Sequence, residues 1–119
     1  MSIADDLQQR THAFSVRLLK FIRKLERDLA RDSVVRQLVR SGTGIGANHR
    51  ASRRARSRAE FIARLGIVVE EADETEEWLT LLRDAELCAG TELDWLSNEA
   101  TEFRRIFSAS LRTARRNGH

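Results

Sequence analysis

The stretch from Ser57 to Gly90 contains no proline and one interior glycine, Gly66. Within it Phe61, Leu65, Val68, Ala72, Thr75, Leu79 and Leu82 recur at alternating fours and threes. That spacing holds one stripe on one side of a helix and matches the seam of a helical bundle. Ser57-x-x-Glu60 has the form of a capping box, and Gly90 is a suitable left-handed stop. A helix over 57–89 is roughly 45–50 Å long at about 1.5 Å per residue, too long to stand alone in water. The rest of the chain must therefore cover it.

Three further helices are expected. The first spans 5–29, with Leu7, Phe14, Leu18, Phe21, Ile22, Leu25 and Leu29 on one face; its stripe is weak before Phe14, so its first residues are expected to fray. The second spans 33–51, capped by Asp32 or Ser33, and turns Val35, Leu38 and Val39 inward. The fourth spans 92–115, with Leu93, Leu96, Ala100, Phe103, Phe107, Leu111 and Ala114 inward; Thr91-x-x-Asp94 resembles its capping box. Short turns between four helices give a single all-α domain over 1–119, an antiparallel up-down-up-down four-helix bundle. Composition agrees: the chain has no proline and no tyrosine, and charged residues make up 33%. The lone Cys88 cannot pair within the chain, and no apolar run is long enough to span a bilayer, so a cytoplasmic protein with no membrane partner is expected.

Arg40-Ser41-Gly42-Thr43-Gly44-Ile45-Gly46-Ala47-Asn48 admits two readings. As a phosphate loop it lacks a preceding strand and a following Lys-Ser/Thr pair. As a helix, Gly42-x-x-x-Gly46 lets another backbone approach closely, which must offset roughly 2–3 kcal/mol of lost helix propensity. The packing reading is preferred.

Two segments resemble a known family. Residues 40–48 are similar to its RS-x-TSIGAN signature, with Gly44 where serine is usual. SRAEFI at 57–62 and EEADETEEWL at 70–79 are similar to its SR-x-DFI and EA-x-ET-x-x-WL segments. The family comprises four-helix-bundle proteins encoded in intervening sequences of bacterial 23S ribosomal RNA genes, and it extends to the accessory variability proteins of diversity-generating retroelements. The similarity is clear over Val34 to Leu82 and looser over Asn98 to Ala114. It implies a left-handed bundle, a homopentamer around a central channel, and no established enzymatic activity. For the retroelement branch it implies binding to nucleic acid and to a reverse transcriptase. The Gly44 departure removes a hydroxyl but not the fold.

The residues themselves point the same way. Opposite the main stripe of the long helix lie Ile67, Trp78, Leu81, Ala85 and Cys88, interrupted by Glu74. A lone bundle would keep that face polar, so Ile67, Glu74, Trp78 and Leu81 are candidates for a homo-oligomer interface. The formal net charge is only +3, yet an up-down-up-down chain gathers Arg50, Arg53, Arg54, Arg56, Arg58, Arg112, Arg115 and Arg116 at one pole. Such a cluster attracts phosphates, with affinity supplied by released counterions, and makes RNA or DNA the expected nonspecific ligand. The alternative is a protein-interaction scaffold or reverse-transcriptase accessory subunit without a nucleic-acid role.

The acidic run Glu70, Glu71, Asp73, Glu74, Glu76, Glu77 is expected to face solvent and to bind arginines. No Glu-x-x-His pair accompanies it, and His12, His49 and His119 lack ligand spacing, so no metal or cofactor is expected. His49 is expected to be a packing residue at the end of the second helix. With no activated nucleophile in view either, the chain is expected not to be an enzyme.

Overall fold

The computed structural model of the chain describes residues 2–117. Four helices follow one another: α1 (Ile3–Arg23), α2 (Leu29–Arg53), α3 (Arg58–Asp84) and α4 (Thr91–Arg116). Together they form an elongated body of 49 × 25 × 20 Å. Neighbours in sequence are neighbours in space, α4 closes back on α1, and α2–α3 is the most intimate seam. Side-chain pairings fix the direction of each neighbour. Asp5 and Leu18 of α1 meet Arg53 and Gly42 of α2, Ser41 and Gly44 of α2 meet Thr75 and Glu71 of α3, Arg58 and Glu76 of α3 meet Ala114 and Arg104 of α4, and Arg10 and Arg17 of α1 meet Glu99 and Glu92 of α4. Every adjacent pair is antiparallel.

The core is the expected set of stripes. Leu65, Val68, Ala72, Thr75, Leu79 and Leu82 of α3 are buried, as are Leu93, Leu96, Ala100, Phe103, Phe107 and Leu111 of α4. Phe14 of α1 meets Phe103 edge to face at 5.5 Å and lies near-parallel to Trp95 at 6.4 Å, arrangements favoured by the ring quadrupole. The glycines of α2 let α1 approach. A Cβ on Gly42 would collide with Leu18 Cδ2, and one on Gly46 would lie 3.2 Å from Thr11 Oγ1. The close-packing reading of this segment is thus the correct one.

Several boundaries differ from those expected. Helix α1 starts at Ile3, two residues before the expected Asp5, with Ser2 and Asp5 in a reciprocal capping box. It stops at Arg23 rather than Leu29. Asp28, in an extended conformation, caps α2 through Arg31 N–H, so α2 begins four residues before the expected Ser33. Leu29 is 90% exposed in the first turn of α2 instead of buried in α1. Arg31 holds this turn, donating to the Glu26 carbonyl at 2.7 Å and the Leu87 carbonyl at 2.8 Å.

Helix α3 ends at Asp84, not at residue 89, and its left-handed residue is Glu86 (φ 59°). Leu87 N–H donates to the Leu82 carbonyl and Glu86 N–H to the Arg83 carbonyl, a complete Schellman motif closed by the apolar Leu87. Gly90 (φ 122°) is instead the residue before α4. The Thr91-x-x-Asp94 box does not form: Thr91 is already helical, and no side chain caps this helix. The Ser57 cap forms as expected, accepting from Glu60 N–H, but Glu60 reaches back to Arg56 N–H.

Candidate nucleic-acid interface: the arginine pole

One end of the bundle collects the start of α1, the end of α2, the 54–57 link, the start of α3 and the end of α4. All eight arginines expected at this pole reside on those segments: Arg50 and Arg53 in α2, Arg54 and Arg56 in the link, Arg58 in α3, and Arg112, Arg115 and Arg116 in α4. Asp5, Asp6 and Glu60 are the carboxylates of the same segments. Asp5 and Glu60 sit in the first turns of α1 and α3, where the helix dipole favours anions.

Two of the eight arginines are engaged. Arg53 donates to Asp5 at 2.8 Å and to Gln8 Oε1 at 2.6 Å, tying α2 to α1. That bond, with the Ser2 N–H bond behind it, holds the Asp5 carboxyl below its ordinary range. Arg58 donates to the Ala114 carbonyl, tying α3 to α4. Glu60 is likewise held low, first by Arg56 N–H and then by Arg64. Arg50, Arg54, Arg56, Arg112, Arg115 and Arg116 are exposed and make no ion pair among the described residues. The opposite pole is mixed in sign: Arg23, Lys24, Arg27 and Arg83 lie among Glu26, Asp28, Asp32, Asp84, Glu86 and Asp94.

Beneath the arginines lies His49. It is 5% exposed, its ring is 5.2 Å from Phe107, and its buried Nδ1 has no hydrogen-bond partner. Burial, reinforced by the charge of Arg53, pushes its pKa down and keeps the ring neutral. His49 is a packing residue, as expected from sequence. His119 lies outside the described residues.

The family-like segments come together elsewhere, along the α2–α3 seam. Thr75 Oγ1 is buried 3.0 Å from Ser41 Oγ and 2.7 Å from the Glu71 carbonyl. Arg40 reaches Glu74 at 2.6 Å and Glu71 at 3.5 Å. The Glu71 carboxylate occupies the space over Gly44, where any side chain would collide with it. Its burial there raises its pKa, against the pull of Arg40. Glu76 binds Arg104 at 2.6 Å and accepts from Thr101; these bonds outweigh burial and lower its pKa. The acidic run thus divides between arginine-bound Glu71, Glu74 and Glu76 and solvated Glu70, Asp73 and Glu77.

Of the residues proposed for an oligomer face, Ile67 and Leu81 are exposed by 40% and 38%. Glu74 is bound to Arg40, and Trp78 is half-buried against the chain's own core, with its indole N–H buried and unpartnered. Ala85 and Cys88 lie past the end of α3. Among the described residues no helix is long and apolar enough to cross a membrane.

The fold and its pole define a small antiparallel helical bundle with its positive charge drawn to one end. The chain belongs to the 23S rRNA-intervening sequence protein family, whose family model matches residues 5–109. It is similar to a crystal structure of a protein of unknown function from the S23 ribosomal protein family of Bacteroides thetaiotaomicron. The two share 31% identity and a TM-score of 0.81, over 92% of this chain and 97% of that one. A search of curated proteins returned no match.

Proposed function

We propose that the protein binds RNA or DNA without sequence preference through the arginine pole, and that the exposed Ile67–Leu81 strip of α3 joins copies of the chain into a ring that repeats the pole. The observation that carries this reading is the six arginines of the pole that lack an acidic partner. A surface serving solubility alone would intersperse the signs, as the opposite pole does. Arginine's planar fork suits phosphate oxygens.

The test is a titration of labelled RNA and DNA at two salt concentrations. Six arginines neutralising six phosphates give a slope of log affinity against log salt of about −4 for single strands. Replacing Arg54, Arg56 and Arg115 by Gln flattens that slope by about 2 while leaving the helical circular dichroism unchanged. Absence of binding at low salt overturns the nucleic-acid reading and leaves a protein partner as the use of the pole. Sedimentation of Leu81→Glu against the parent chain tests the ring: the variant sediments as a smaller species, and an unchanged species refutes the strip.

A further inference from the structure

Beside the pole, between the first turns of α3 and the last turns of α4, runs an open groove of about 500 Å³ lined by Arg58, Phe61, Ser110, Thr113 and Asn117, with small alanines between them. We propose that this groove seats an unpaired nucleobase against Phe61, so that the pole prefers single-stranded over duplex nucleic acid; this rests on the nucleic-acid reading above and gives it a structural class of ligand.

Three observations converge. Phe61 is half-buried, packed on the core from one side and lining the groove from the other. The other phenylalanine near this end, Phe107, is 1% exposed, so Phe61 is the ring a ligand can reach. The α4 wall is built of Ala109, Ser110, Thr113 and Ala114, too short to fill the space opposite a phenyl ring. Finally, the groove lining includes no carboxylate, and Arg58 is pinned at its edge by its bond to the Ala114 carbonyl. A pinned guanidinium keeps its remaining N–H groups for a phosphate or a base edge. The Ser110 and Thr113 hydroxyls and the Asn117 amide add donors and acceptors of either kind.

Chemistry narrows the occupant. Base–aromatic stacking is sequence-tolerant, because every base has a π face, and it is closed to a duplex whose faces are already stacked. The charge around the groove selects a polyanion over a neutral aromatic ligand. Arg56 precedes Arg58 by two residues, and Arg112 and Arg116 occupy the same last turns of α4, so backbone phosphates on either side of a seated base find cations.

The experiment uses the full chain, a single-stranded oligonucleotide carrying 2-aminopurine, and a blunt duplex of equal length. Binding quenches the analogue's fluorescence through stacking, and the single strand binds several-fold tighter than the duplex. Phe61→Leu weakens single-strand binding by about 5- to 100-fold and abolishes quenching, whereas the salt slope stays the same. Phe61→Trp restores both. Ala109→Leu fills the groove from an exposed position, leaves the core alone and has the same effect as Phe61→Leu. If single strands bind with the expected salt slope but neither variant changes affinity or quenching, the groove is overturned and the pole stands. If no strand binds even at low salt, both fall.

Discussion

Two glycines in the middle of helices test how the bundle is packed, because the same substitution should stabilise at one and not at the other. Gly66 of α3 has nothing within 4 Å of a Cβ placed on it. Gly66→Ala therefore gains helix propensity alone, about 0.8–1 kcal/mol of stability. Gly42 of α2 has the same propensity to gain, but its Cβ would strike Leu18 Cδ2, and Leu18 is fully buried. Overfilling a closed core costs about 1–3 kcal/mol, so Gly42→Ala comes out neutral to about 2 kcal/mol destabilised. The two variants should differ by about 1–3 kcal/mol. For a chain of this size a kilocalorie is about 3–5 °C in Tm. Thermal denaturation followed at 222 nm should place Gly66→Ala about 3–5 °C above the parent and Gly42→Ala at or below it. Trimming the obstacle is the control: in a double-mutant cycle Gly42→Ala and Leu18→Ala should couple favourably by about 1 kcal/mol or more. If Gly42→Ala stabilised as much as Gly66→Ala and no coupling appeared, the close approach of α1 to α2 would be refuted.

Other expected outcomes follow from single sites. His49 is held neutral in the fold, below the 6.5 of a free imidazole. The unfolded chain then binds the extra proton first, so stability falls as pH drops from about 7.5 through 6.5 and levels off below the folded value. Urea unfolding between pH 5 and 8 should show this slope, and His49→Leu should remove it. Glu86 holds a left-handed conformation that a side chain disfavours; Glu86→Gly should stabilise by about 0.5–1 kcal/mol, visible as a higher urea midpoint, where an unchanged midpoint would argue against the Schellman stop. Glu76 satisfies both Arg104 and Thr101, so Glu76→Gln should cost about 1 kcal/mol at pH 7. Because its folded pKa is lowered, that cost should shrink as pH falls below 4.5 and through the folded value, and a cost that did not change with pH anywhere on the acid limb would mean the carboxylate charge is not the source.

Periodicity carried most of the fold. The α3 and α4 stripes are buried where the fours and threes put them, because a 3.6-residue repeat leaves little choice of face. Boundaries were harder, since caps depend on backbone angles that composition does not reveal. Asp28 and Ser33 are both good caps, and what selects Asp28 is the Arg31 clamp to a loop 56 residues away. Glu86 takes the role expected of Gly90 because the apolar Leu87 packs against the core while its N–H returns to the Leu82 carbonyl. The arginine pole was legible, since connectivity alone dictates which ends share a side. The Phe61 groove was not: Phe61 reads as one more stripe residue until the shortness of Ser110 and Thr113 across the seam is known.

The α1–α4 closure differs in kind from the other three seams. Its backbones stay farther apart, and Arg10–Glu99 and Arg17–Glu92 bridge the gap, each guanidinium also lying over an aromatic ring, Phe103 or Trp95. A barrel hooped on three sides and buckled on the fourth comes apart at the buckle. The first breach in this molecule should therefore swing α1 outward like a door hung on the α2 glycines, baring Phe14 and Phe103 while the α2–α3–α4 wall stays upright.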